Sequence, residues 1–272
     1  MISKIKIFIS VICLTVFAAG CGGVGSSSSK IIKNDKLYPF LLSGIYTVNG
    51  YGGADKFFGM FTKGINAKPG ERAFLSELEE GYEQLFVFPY KGDRSGARRE
   101  LSRSWGIDNK EDFLETADDL LAEGHQKAYE FCRKILDENG GEQADVNNID
   151  INKYASEYEG RFGKIKNIQF VKDNYNKFSP AGIKAWDISR YVNNINLAFC
   201  AEFITEEEGY QLVANALIEA KKYYQDWSTY WNDFNLGRYF WGGDDDPAFT
   251  KTADSLTDKE NNYSVYNYMP LN

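Results

Sequence analysis

Apolar side chains recur at three- and four-residue spacing through most of this sequence, the period of a helix with one face turned inward. Over 71–86, Phe74, Leu75, Leu78, Tyr82 and Leu85 share such a face. Asp108 and Glu111 then stand as N-cap and N3 of a capping-box start, with Phe113, Leu114, Ala117, Leu120 and Leu121 following and Gly124 closing the helix. A helix over 125–138 carries Ala128, Phe131, Cys132, Ile135 and Leu136 and stops at Asn139-Gly140-Gly141. Thr205 and Glu208 form a capping box for a helix lined by Tyr210, Val213, Ala216, Leu217, Ala220 and Tyr224. Asp226 caps the last strong helix, striped by Trp227, Trp231, Phe234, Arg238 and Trp241.

Weaker patterns predict helices over 37–49, 97–105, 151–160 and 165–178, with loops over 89–96 and 141–148. The stretch 56–69 is glycine-interrupted and ambiguous. No alternating strand pattern occurs, so the sequence predicts a single all-α domain over 31–272 with roughly eight to ten helices.

One stretch departs from the one-faced pattern. Over 183–203, Ile188, Tyr191, Val192, Ile195 and Phe199 make a broad apolar stripe, and Trp186 and Leu197 make a second. Asp187, Arg190 and Asn194 fall between the two, while Ser189, Asn193 and Asn196 mark an expected wet side. Charges aimed into apolar surroundings are costly unless paired and hydrogen-bonded, so Asp187, Arg190 and the in-stripe Arg238 are expected to meet in one buried network.

The first residues read as a targeting signal, 1–20. Lys4 and Lys6 form a basic start, 7–17 is apolar, and Ala18-Ala19-Gly20 precede Cys21. Small residues before a cysteine resemble a bacterial lipobox, which implies cleavage before Cys21, acylation of that residue and anchoring in a lipid bilayer. An ordinary signal peptide or an uncleaved anchor helix is the alternative, although the apolar run is short of the ~20 residues of a membrane span. The Gly- and Ser-rich segment 22–29 is a tether too poor in apolar groups to pack, so 21–30 reads as lipidated cysteine plus linker. This places the globular part outside the cytoplasm, on the cell membrane or outer membrane.

The net charge is −8, and −10 without Lys4 and Lys6, which argues against nucleic acid as a general partner. Arg94, Arg98, Arg99 and Arg103 cluster locally, best read as a solvated helix face. Cys132 and Cys200 are either an exported protein's disulfide or two buried thiols, and spacing leaves that open. Asp244, Asp245 and Asp246 read as a solvated acidic turn before a divalent-ion site, and Asp145-Val146-Asn147 lacks the glycine and glutamate of a calcium loop.

Trp105-Gly106-Ile107, an acidic helix, Gly124-His125, Ala185-Trp186-Asp187-Ile188-Ser189-Arg190, Trp227 and Gly237-Arg238-Tyr239-Phe240-Trp241 follow one another in an order that resembles the bacterial family called domain of unknown function 1266. The resemblance covers roughly 105–241, about half of the chain. It implies a helical domain with shared polar residues and no established activity. Members of the family are often described as cytoplasmic, so a lipoprotein signal is an addition here.

No phosphate loop, dinucleotide fingerprint, zinc spacing or G-x-S-x-G occurs, and no cofactor or metal is implied. His125 is the single histidine, so any triad depends on it, yet its place at a helix junction suits a hydrogen-bonding role better than catalysis. The site candidates are His125, Trp186, Asp187, Arg190, Asn194, Trp227, Arg238 and Trp241, with Asp112, Glu115 or Glu202 as a further carboxylate. Trp227, Tyr230, Trp231, Tyr239, Phe240 and Trp241 read as core before carbohydrate platform. Two arginines against one aspartate leave a positive surplus, which favours a non-enzymatic module binding a partner protein or small anion. The alternative is a hydrolase using the Asp/Arg cluster with His125.

Overall fold

Polar side chains at helix starts set much of this architecture. In the computed structural model, which describes residues 31–154, 164–243 and 247–272, Thr205 accepts from the Glu208 N–H while the Glu208 carboxylate accepts from the Thr205 N–H. Asp226 accepts from the Thr229 N–H at 2.8 Å. Both starts lie where the sequence places them, because each satisfies N–H groups that a helix leaves unbonded. The start near 108 differs by one residue. Asn109 is the cap, accepting from Glu111 and Asp112, while the Asp108 N–H donates to the Asp112 carboxylate.

The helices among the described residues are α1 (Gly44–Gly50), α2 (Ala54–Gly64), α3 (Arg72–Phe86), α4 (Arg94–Trp105), α5 (Lys110–Ala122), α6 (Gln126–Glu138), α7 (Ile165–Asp173), α8 (Lys184–Cys200), α9 (Glu206–Tyr223), α10 (Trp227–Trp241) and α11 (Pro247–Thr257). No strand occurs among those residues, so the fold is all-α. A 3-10 segment, Tyr38–Ser43, occupies the first half of the helix expected over 37–49. Asp93 caps α4 ahead of the expected start by accepting from the Gly96 N–H. α7 ends at Asp173, and the helix expected over 151–160 is a 3-10 turn at Ile151–Tyr154 before it leaves the described residues. Cys21, the tether and Asp244–246 also lie outside them.

α8 sits at the centre, with α4, α5, α9, α10 and the 3-10 segment Tyr38–Ser43 packed around it. Its expected wet side does not exist as such. Ser189 and Asn196 are as buried as Ile188 and Ile195, because a helix with neighbours on every side has no face left for water. Asn193 is half-buried and accepts from the Tyr90 hydroxyl at 3.0 Å. α10 approaches closely at Gly237, where a Cβ would lie 2.5 Å from Trp186 Cβ. That spacing fixes Trp186 against Phe234, with ring centres 5.3 Å apart.

Cys132 and Cys200 are both buried and free. No helix among the described residues is long and apolar enough to cross a membrane.

Candidate functional site

The site begins with the turn between α5 and α6. Gly124 carries φ +53°, a left-handed conformation that glycine adopts without a Cβ penalty. It also has no room for a side chain, since a Cβ would fall 2.5 Å from Asp187 Oδ2. The missing methyl lets the turn settle directly on the first turn of α8. Three bonds hold it there. Asp187 Oδ2 accepts from the Gln126 N–H at 2.9 Å, Gln126 Oε1 accepts from the Ile183 N–H at 2.8 Å, and the buried Lys184 ammonium donates to Leu121 O at 2.7 Å. Lys184 thereby neutralises the carbonyl end of α5, where a cation is favoured.

The fourth bond orders a side chain. His125 Nδ1 lies 2.5 Å from Asp187 Oδ1, and His125 Nε2 lies 3.0 Å from Arg190 Nη1. A carboxylate can only accept and a guanidinium can only donate. The neutral ring with its proton on Nδ1 satisfies both neighbours at once. Asp187 is fully buried and His125 nearly so. Both ring nitrogens are engaged, so in this arrangement His125 positions Arg190 and has no nitrogen left to take a proton from a substrate.

Arg190 stands among aromatic rings. Its Cζ is 4.0 Å from the Trp105 ring centre, 4.9 Å from Trp186 and 5.8 Å from Trp241. Trp241 also meets His125 edge-on, with centres 3.9 Å apart and planes at 78°. These contacts favour the cation, while burial pulls the guanidinium below its ordinary value, opposed by Tyr46 and Asp187. Burial raises the Tyr46 hydroxyl, and Arg190 and Arg238 act against that rise. Arg190 therefore carries its charge in reduced contact with water.

The structure thus brings His125, Asp187, Arg190, Trp186 and Trp241 together. Asp187 takes its bonds from His125 and Gln126 rather than from either arginine. Arg238 is buried on α10, with Cζ 4.4 Å from the Phe249 ring. Asn194 lies one turn beyond Arg190, buried, with neither amide atom hydrogen-bonded. Trp227 belongs elsewhere: its indole N–H donates to Met269 O and its ring packs on Tyr230 and Tyr266. Asp112 accepts from the Asp108 N–H and the Asn109 amide at the start of α5, and Glu202 pairs with Arg94 at 2.8 Å, so neither supplies a carboxylate here.

Five contributors are not among the candidate site residues: Trp105, Gly124, Gln126, Lys184 and Tyr46. Trp105 and Gly124 belong to the segments Trp105-Gly106-Ile107 and Gly124-His125 that carry the family resemblance. Lys184 is the first residue of α8. Tyr46 reaches the site from α1, and nothing local in the sequence points to it. A groove of about 870 Å³ opens beyond Gln126, lined by Tyr129, Glu130, Arg133, Asp137 and Tyr175, and neither His125 nor Asp187 lines it. Among the described residues no three His, Cys, Asp or Glu side chains converge on a metal position.

The model of the family described as protein of unknown function (DUF1266) matches residues 100–270. Two proteins of Escherichia coli (strain K12), the uncharacterized proteins YbeR and YbeU, are each 26% identical to this chain, over 162 and 166 residues. These stretches cover 59% and 58% of this chain, and 65% and 63% of the relatives, so the chain spans just under two-thirds of their length. No solved structure matches.

Proposed function

We propose, for a chain that belongs to the DUF1266 family of proteins of unknown function, a binding role: a non-enzymatic module that captures an anionic group at Arg190. The relatives' names give no ligand, so the reading rests on the site. The observation that carries it is the relay Asp187–His125–Arg190, which spends both histidine nitrogens on orienting one half-buried arginine. An oriented guanidinium with donors in hand is suited to recognising an oxyanion. The hydrolase alternative lacks comparable support, because the one histidine is already committed at both nitrogens.

The test is titration of intrinsic tryptophan fluorescence, since three indoles surround Arg190. Saturable changes with benzoate or inorganic phosphate are expected, and Arg190→Gln abolishes them while its circular dichroism stays helical. No response to either anion overturns the reading.

The same proposal places the module on a membrane through acylated Cys21, supported by the small residues before it and the serine-rich tether behind it. Cys21→Ser is expected to accumulate precursor and take up no labelled fatty acid. Equal labelling of variant and wild type overturns the anchor.

A further inference from the structure

The same guanidinium restricts which anion fits, an inference that rests on the anion-binding reading above. Arginine carries five N–H donors. Arg190 spends one, on Nη1, in its bond to His125 Nε2, its sole hydrogen bond among the described residues. The edge formed by Nε–H and Nη2–H is intact, and that edge matches two coplanar carboxylate oxygens in a bidentate pair.

Its surroundings decide between anions of different shape. Trp105 and Trp186 rings lie 4.0 Å and 4.9 Å from the guanidinium carbon, so an arriving group enters beside indole faces. A carboxylate keeps both oxygens in the guanidinium plane and turns apolar or aromatic surface to the rings. A phosphate or sulfate places further oxygens out of that plane, against electron-rich faces and away from water. Further polar atoms without partners lie on the same face of α8. Trp186 Nε1 and both amide atoms of Asn194 are buried without hydrogen bonds, and these residues lie one turn either side of Arg190 on α8. Buried polar atoms in this state call for a polar guest, an ordered water or a ligand group.

We infer that the Arg190 site selects a carboxylate carried on a planar body over a tetrahedral oxyanion. The carboxylate has two sources, a free organic acid or the C-terminus of a peptide.

The experiment titrates the full chain with benzoate and with phenyl phosphate, which share one aromatic body and differ in the anion. Benzoate is expected to bind more tightly by roughly tenfold or more, despite its smaller charge. Arg190→Lys keeps the charge and removes the fork, and is expected to lose benzoate affinity by about tenfold or more while remaining folded. A short peptide ending in phenylalanine, with its C-terminal amide as control, separates the sources. Displacement of benzoate by the free-acid peptide alone assigns a protein terminus, and no displacement by either assigns a free acid. Phenyl phosphate binding as tightly as benzoate, or Arg190→Lys binding benzoate unchanged, overturns the carboxylate inference and leaves anion capture standing. Failure of both ligands to bind overturns both.

Discussion

The His125 Nδ1–H donates to Asp187 Oδ1 at 2.5 Å, joining the turn after α5 to the first turn of α8 across 62 positions of sequence. That bond makes the α8 aspartate a structural acceptor and, through the imidazole, the orienting group of Arg190. It also explains why the motif residues lie far apart in sequence. Trp105, Gly124, His125, Trp186, Asp187, Arg190 and Trp241 come from three helices and one turn and meet in one place.

Removing Asp187 is expected to be costly. Asp187→Ala strands the His125 and Gln126 N–H donors in a buried position and should cost about 3–5 kcal/mol. For a domain of this size that lowers the melting temperature by on the order of 10 °C. Arg103→Ala, which removes an exposed i,i+3 pair with Glu100, should cost no more than ~0.5 kcal/mol. Thermal melts of the two variants check the contrast, and equal melting temperatures refute it.

Two glycines separate strain from entropy. Gly124→Ala meets a positive φ and a carboxylate 2.5 Å from its new methyl, so it should destabilise by more than about 1 kcal/mol and disturb the Asp187 bonds. Gly59 lies inside α2 with open space where a Cβ would go. Gly59→Ala should stabilise by about 0.5–1 kcal/mol. Denaturant midpoints of opposite sign are the expected result.

Much of this was legible in the chain. Helix starts at Thr205 and Asp226 were readable because their capping chemistry is local, within three residues. The oddity of α8 was readable too, since charges flanked by apolar residues imply buried partners. The identity of those partners was not, because His125 and Gln126 are 62 and 61 positions away from Asp187. Ser189 and Asn196 misled for a related reason. A helical wheel ranks the faces of one helix by polarity, but the number of neighbours packed around it decides whether the most polar face stays dry. The α5 start is shifted by one residue, with Asn109 accepting from the Glu111 and Asp112 N–H groups and Asp112 accepting from the Asp108 N–H, a shift that the Asp108–Glu111 spacing does not reveal.

Asp233 gives a pH dependence with a definite sign. Burial raises its carboxyl above the ordinary 3.8, against bonds from the Ser179 N–H and hydroxyl and the Asn232 amide that lower it. The native state therefore holds this proton more tightly than the unfolded chain does. The resulting stabilisation is fully present below about pH 4 and is lost as pH rises through the native-state value. Asp233→Asn removes the titration at nearly the same shape. Subtracting the variant's unfolding free energy from that of the wild type should give a difference that falls as pH rises above about 4 and then levels off. A difference that grows with pH contradicts the assignment.

The two cysteines of the folded region should be inert. Cys132 is fully buried and its thiol is pushed up to about 12 by burial, while the Cys200 Sγ–H donates to Tyr90 O at 2.6 Å. Since the thiolate is the reactive form, a thiol reagent should label neither in the native state and both after unfolding. Rapid labelling of either native thiol contradicts the packing described for it.

His125 is a neutral positioning residue with its proton on Nδ1. Nitrogen-15 NMR of the imidazole tests it without assignment ambiguity, because the chain contains one histidine. A single neutral tautomer is expected, protonated at Nδ1 and accepting at Nε2, which gives way to a mixture of tautomers in Asp187→Ala. A ring protonated at Nε2, or a tautomer mixture already present in the wild type, would contradict it.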